Sequence, residues 1–267
     1  YDEFPARVAE VAMWLMDHQM NMKVSNEFGQ FFVRLPLSKA AKIVHGNALR
    51  VDWADVVPKE ELSYILGNPP FIGAKMMDEN QRAAITTIAP NLDGIGLLDY
   101  VAAWYLKAAD LIRDTQIKVA FVSTSSITQG EQVGLLWGNM LSKGIKIHFA
   151  HRTFKWSNEA RGIAAVHCVI IGFASFDTKQ KFIFDYQDAK GEPSLSVAQN
   201  INPYLVDAAN VILVRRSKPI CPVPEIGIGN KPIDGGHYLF STESKVEFLE
   251  KEPQATPYFR RWIGSDE

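Results

Sequence analysis

The sequence predicts an α/β fold: a sheet core in the larger N-terminal part, followed by the start of a β-rich region. Apolar runs of strand length alternate with stretches whose apolar residues recur at helical spacing. Hydrophobic residues make up 47% of the 267-residue chain, enough to fill a sizeable core. After about residue 177 the texture changes to short strand-like runs rich in Pro and Gly.

The elements follow in order. "EFPARVAEVAMWLMDHQMN" places Phe4, Val8, Val11, Ala12, Leu15 and Met16 near helical spacing, with Pro5 suited to a first turn, and predicts a helix over about 4–21. "KIVHGNAL" (42–49) reads as a short strand ending in a Gly-Asn turn, and "LSYILG" (62–67) as another strand. "DENQRAA" opens a short helix, and "LLDYVAAWYLKAADLIRD" (97–114) is a strongly amphipathic one. "KVAFVST" (118–124) is a buried-type strand, "EQVGLLWGNMLSKG" (131–144) a helix with a glycine stop, and "IKIHFAH" (145–151) a strand. "AAVHCVIIGFASF" (164–176) is a long apolar strand. Strands alternating with helices imply a mostly parallel sheet with helices on both faces. "TKQKFIFDYQDAKGEP" reads as a hairpin, and the Pro- and Gly-rich stretch after it as irregular structure. The expected division is a core over 1–180 and the beginning of a second domain over 181–267, with the boundary near 177–200.

Several classes are set aside by composition. No apolar run approaches the roughly 20 residues that span a bilayer. Cys168 and Cys221 are too few for a disulfide framework and lack metal-ligand spacing, which fits a reducing cytoplasm. His45, His148, His151 and His167 stand singly, so no metal is expected. A formal charge of −2 provides no global basic field, although a local basic groove stays compatible with it. The chain opens on Tyr1 without a secretory leader, and the expectation is a piece of a longer protein.

"ILGNPPF" (65–71) carries the chemistry. In an open parallel sheet, ligands sit beyond the carboxyl ends of strands, where Asn68 falls. Pro69 and Pro70 fix the backbone, hold it extended and offer carbonyls without N–H groups. The Asn68 side chain adds another carbonyl. Two acceptors side by side suit an exocyclic NH2 group, and taking both of its hydrogens keeps the nitrogen lone pair out of conjugation with its ring. Phe71 offers a flat face for stacking. A base buried in a duplex has to be flipped out to reach such a site.

"NPPF" after a strand resembles the catalytic motif of amino-group methyltransferases that use S-adenosylmethionine, mainly DNA adenine-N6 enzymes. "DEFPARVAEVAMWLMDHQMN", "GNPPFIGAKMM", "LDYVAAWYLKAADLI", "FKWSNEARGIAAVHCVIIGF" and "PIDGGHYLFS" are similar to the MmeI-like combined restriction–modification enzymes, over nearly the whole chain. The resemblance implies a Rossmann-like methyltransferase core, then part of a target-recognition domain that binds double-stranded DNA, with a nuclease domain elsewhere in the full-length protein. It assigns catalysis to Asn68, Pro69 and Phe71. It assigns cofactor contact to Pro70, to Asn47 in place of the family's usual acidic residue, and to the aromatic Trp104.

The family's glycine-rich cofactor loop has no counterpart here and is expected just upstream of Tyr1. So is the carboxylate that binds the cofactor ribose, which leaves Asp2 only as a neighbour of the pocket. Similar enzymes place a second aromatic against the flipped base in the loop matched by "RTFKWSNEARG", with Phe154 and Trp156 as the candidates. The basic residues around them, Arg152, Lys155 and Arg161, and the downstream Arg215–Arg216 pair are the candidates for phosphate contact. The alternatives are a DNA-binding module without activity of its own, N4-cytosine methylation, and protein-glutamine or ribosomal methylation.

Overall fold

The computed structural model describes residues 3–29, 41–156, 166–186, 191–214, 216, 218–223 and 234–262. It divides into two compact units, 1–215 and 216–267. Helix α1 (Glu3–Phe28) extends past the predicted span and buries none of its residues; Phe4 is 73% exposed. Residues 41–52 follow without a strand. Then come α2 (Trp53–Val56), β1 (Tyr64–Gly67), α3 (Glu79–Ile88), α4 (Ala102–Leu111) and β2 (Lys118–Thr124).

A broken helix follows: α5 (Gly130–Gln132), one π-helical turn (Val133–Trp137) and α6 (Gly138–Ser142). The unit closes with β3 (Lys146–Trp156), β4 (Val166–Ala174), β5 (Lys181–Asp185) and β6 (Ser194–Ala198). In the second unit, α7 (Thr242–Lys251) is started by the Ser241 hydroxyl, which accepts from the Ser244 N–H.

The six strands form one sheet in the order β1-β2-β4-β3-β5-β6. The sheet is mixed and not mostly parallel. β1/β2 and β3/β5 are parallel, whereas β4 runs antiparallel to both β2 and β3, and β6 antiparallel to β5. Connection length explains this. Nine residues separate β3 from β4, fewer than the dozen or so that a parallel crossover needs. The segment between β1 and β2 is long enough to hold α3 and α4, and those strands are parallel. β5 lies in the stretch read as a hairpin, whereas its antiparallel partner β6 begins just after that stretch; both extend the same sheet.

Two further expectations are corrected. The strand predicted over 42–49 does not form. Its middle becomes a compact turn in which the Asn47 carbonyl accepts the N–H groups of Arg50 and Val51 at 2.8 and 3.0 Å. Side chains, not a neighbouring strand, take the carbonyls that follow. The helix predicted over 131–144 is interrupted by the π turn, which includes Gly134. A Cβ there would stand 3.1 Å from the Leu213 carbonyl oxygen, so the chain at 213–214 packs directly on glycine.

The core lies between the sheet and α4. Alanines at 102, 103, 108 and 109 let the helix backbone approach closely. Tyr105 stacks on Phe173 at 5.3 Å and meets Phe121 and Trp137 edge-on. Burying each such ring contributes about 1.5–3 kcal/mol. Their polar atoms are satisfied: the Tyr105 hydroxyl lies 2.7 Å from Ser123 Oγ, and Trp137 Nε1 donates to the Ile127 carbonyl at 2.9 Å. The start of α3 is fixed by reciprocal bonds between Asp78 and Gln81, a cap of about 1 kcal/mol.

Candidate active site

β1 ends at Gly67, paired with Phe121 of β2, and the chain enters Asn68–Phe71 at the carboxyl edge of the sheet. Asn68 and Pro70 are exposed, Pro69 is buried and Phe71 is half-buried. The Asn68 side-chain amide is hydrogen-bonded to nothing among the described residues. The Pro70 carbonyl accepts the Ile72 N–H at 3.1 Å, which tightens the exit from the loop.

The loop is anchored from two sides. Tyr100 N–H donates to the Ile72 carbonyl at 2.9 Å, and the Ala74 N–H donates to Asp99 Oδ1 at 2.9 Å. The other carboxylate oxygen of Asp99 accepts the Ser126 hydroxyl at 2.5 Å, and Ser126 Oγ lies 2.8 Å from Thr124 Oγ1. Asp99, 8% exposed, therefore joins the segment after β1 to the segment after β2. Sequence reasoning missed it. The available signal was an acid inside the apolar run "GLLDYVAA".

Beside Asn68 lies a cavity of about 290 Å³, lined by Ala48, Trp53, Ile65, Pro70, Trp104 and Phe121 among others, with no charged side chain among the described lining residues. Trp104 is half-buried and packs edge-on against Tyr100 at 5.1 Å. Trp53 was not singled out from the sequence; its Nε1 donates to the Ala48 carbonyl at 2.7 Å. Asn47 is not part of the lining. Its Oδ1 accepts the Leu49 N–H at 3.0 Å, within the turn that starts at Gly46–Asn47. Lys107 Nζ donates to the carbonyls of Ala48, Leu49 and Val51 at 3.0, 2.9 and 2.5 Å. Burial lowers the Lys107 pKa, partly offset by the Asp52 carboxylate.

The far end of β3 reaches the same edge. Thr124, three residues beyond the partner of Gly67, pairs with Cys168 of β4, and Cys168 pairs with Phe154. Phe154 thus sits three strands from the Asn68 loop, about 14 Å at the usual strand spacing. Phe154 packs on Tyr186 at 5.2 Å, and the Tyr186 hydroxyl lies 2.7 Å from His151 Nδ1. The His151 ring is stacked on Phe184 at 4.2 Å, and burial lowers its pKa. Arg152 pairs with Asp185 at 2.8 Å, while Lys155 is exposed. Trp156 closes β3. Arg216 is exposed in the second unit. Asp2, Arg161 and Arg215 lie outside the described residues.

A strand running into Asn-Pro-Pro-Phe at the carboxyl edge of an α/β sheet, beside an aromatic cavity, is the arrangement expected from the sequence for a methyltransferase domain. The chain belongs to the MmeI DNA-methyltransferase domain family, whose model matches residues 1–185. The model of the MmeI target recognition domain matches residues 207–267.

The solved structure of the type IIL restriction-modification enzyme MmeI in complex with DNA is similar at 52% identity and a TM-score of 0.79. That match covers 100% of this chain and 36% of that one. "DNA methyltransferase A" of Bacillus subtilis (strain 168) is 40% identical over 271 residues, covering 100% of this chain and 30% of its own. The chain thus spans about a third of the length of these relatives. Membership of a methyltransferase family implies a methyl donor.

Proposed function

We propose that the chain carries the amine-accepting part of a site-specific DNA methyltransferase, which methylates the N6 amine of a flipped adenine as part of a restriction–modification enzyme. The observation that carries this reading is the unengaged, exposed amide of Asn68 beside the aromatic cavity at the strand's carboxyl end. Asn68 Oδ1 and the Pro69 carbonyl accept the two amine hydrogens, leaving the nitrogen lone pair directed away from the ring. Phe71 stacks on the base, a contact of about 1–3 kcal/mol, and Phe154 or Trp156 on β3 is the candidate for the second aromatic. Proximity and lone-pair alignment supply most of the acceleration.

The methyl donor in this reading is S-adenosylmethionine, which supplies an electrophilic methyl group. The cavity suits its flat adenine: two indoles, Phe121 and Pro70 are apolar or aromatic walls, and none of the described lining residues is charged. Its amino-acid end needs charged partners beyond that lining. The region matching a recognition domain then binds double-stranded DNA, where Arg216 is exposed; in the methyltransferase-matching region Lys155 is exposed, while Arg152 is paired with Asp185, and a nuclease domain lies elsewhere in the full-length protein.

The test is mass analysis of nucleosides from duplex DNA treated with the full-length protein and S-adenosylmethionine. N6-methyladenine is expected from the wild type, with a loss of about a hundredfold or more for Asn68→Ala, on the scale of removing one preorganised hydrogen-bonding group. N4-methylcytosine as the only product overturns the adenine assignment. DNA binding without any methylation by the wild type favours a recognition module instead.

A further inference from the structure

We propose that Lys107 is a positioning residue for the methyl-donor pocket: its ammonium holds the 47–51 turn against α4 and so fixes the place of Ala48 and Trp53 relative to Trp104. The proposal rests on the reading of the cavity as the S-adenosylmethionine site.

Three observations carry it. Trp104 and Lys107 are three residues apart on α4 and share a face, so one helix supplies both an aromatic wall of the cavity and a cation one turn further on. The three ammonium donors of Lys107 converge on three carbonyls of a single turn, those of Ala48, Leu49 and Val51. The Ala48 carbonyl is shared, because it also accepts Trp53 Nε1 at 2.7 Å, and the Lys107 nitrogen lies 5.1 Å from the centre of the Trp53 ring. Ala48 and Trp53 both line the cavity. Lys107 therefore grips Ala48 and Trp53, the two lining residues that precede β1.

The chemistry of the grip is selective. Lys107 is half-buried and among the described residues forms no ion pair; its charge is compensated by the three carbonyl dipoles, with the Trp53 ring and the charge of Asp52 contributing. A lysine serving only solubility would keep its nitrogen in water. An ammonium presents three donors from one point, whereas a guanidinium presents a planar fork, so arginine does not reproduce this geometry. The turn would otherwise be held chiefly by its own backbone bonds and by Leu49, which is buried in the core.

The measurement is calorimetric titration of S-adenosylmethionine into the full-length wild-type, Lys107→Met and Lys107→Arg proteins, alongside steady-state kinetics. The proposal expects Kd for S-adenosylmethionine to rise about tenfold in Lys107→Met and by a smaller factor in Lys107→Arg. KM for DNA should stay unchanged, and kcat at saturating donor should stay within about twofold. Should Lys107→Met fail to fold, Lys107→Arg carries the same comparison, with its far-UV spectrum and melting curve confirming the fold. Unchanged donor affinity in a folded variant overturns the positioning role while leaving the site reading intact. An equal fall in kcat and in both affinities assigns Lys107 to general structure and also overturns it. A wild-type protein that binds no S-adenosylmethionine removes the site reading and the proposal together.

Discussion

The Asp99 carboxylate accepts the Ala74 N–H at 2.9 Å, so an acid just before α4 anchors the chain that leaves the Asn68–Phe71 loop. Its second oxygen takes the Ser126 hydroxyl, which places one buried group between two of the segments that border the reactive edge. Replacing Asp99 by Ala leaves an N–H and a hydroxyl without their acceptor, at about 1–3 kcal/mol for each group that stays buried and unsatisfied. Lower thermal stability is expected, and at saturating substrates a larger fall in kcat than in donor affinity. Asp99→Asn keeps one carbonyl acceptor for Ala74 and should lie between the two. Wild-type turnover in Asp99→Ala would show that the loop needs no such anchor.

Phe71 serves as a flat face in the proposed reaction, so Tyr or Trp should be tolerated and Ala should not. The loss for Phe71→Ala should be greater on duplexes with a normal pair at the target than on mismatched ones, because a mismatched base is less costly to extrude. Comparing kcat/KM on both duplexes checks this. Equal losses argue against contact with a flipped base.

Gly172 of β4 lies beneath the ring of its cross-strand partner Phe149. A Cβ at this position would fall 2.0 Å from the ring edge. Gly172→Ala therefore forces Phe149 to turn away inside a strand that is paired on both sides. The expected loss is about 1–3 kcal/mol, read by denaturant titration. Adding Phe149→Ala to Gly172→Ala removes the clash, so the double variant should lose less than the sum of the single ones.

Two imidazoles set an acid limit on stability. Burial lowers the pKa of His148, opposed by its hydrogen bond to the Phe176 carbonyl at 2.8 Å and by the charge of Asp177. Burial lowers that of His151 as well. With folded values below the ordinary 6.5, the unfolded chain binds more protons in the window beneath it. The stability these groups allow is fully present above pH 6.5 and lost as pH falls through the folded values. Melting temperatures should drop between pH 7 and 5.5 and drop less in His148→Gln/His151→Gln. Parallel curves for the two proteins would assign the acid sensitivity to other groups.

The legible parts of the fold were those in which one segment carries its own signal. β2 carries the continuous apolar run "VAFV", which reads as a buried-type strand, and it forms over the expected residues 118–124 with Val119, Phe121 and Ser123 buried. The "NPPF" loop was legible because proline restricts both itself and its predecessor whatever surrounds it. Direction and pairing were less legible. The antiparallel course of β4 follows from the short connection after Trp156, a length available in the sequence but outweighed by the alternation of strands and helices. The strand expected at 42–49 failed because a strand needs a neighbour, and here Lys107, some sixty residues away in sequence, claims its carbonyls. Asp99, Trp53 and Lys107 acquire their roles only through such distant partners, which no local period encodes.

The antiparallel return of β4 also bears on how a site like this can change over time. In an all-parallel sheet, the chain leaving β3 would travel to the opposite edge before the next strand began. Here β3 ends at Trp156 and β4 begins at Val166, its register partner, so both ends of the connection are fixed at the edge that carries Asn68. Residues added between those two ends leave every strand pairing as it is. The topology therefore separates two kinds of inheritance: a loop after β1 that tolerates almost no alteration, and a neighbouring connection free to lengthen, shorten and diversify.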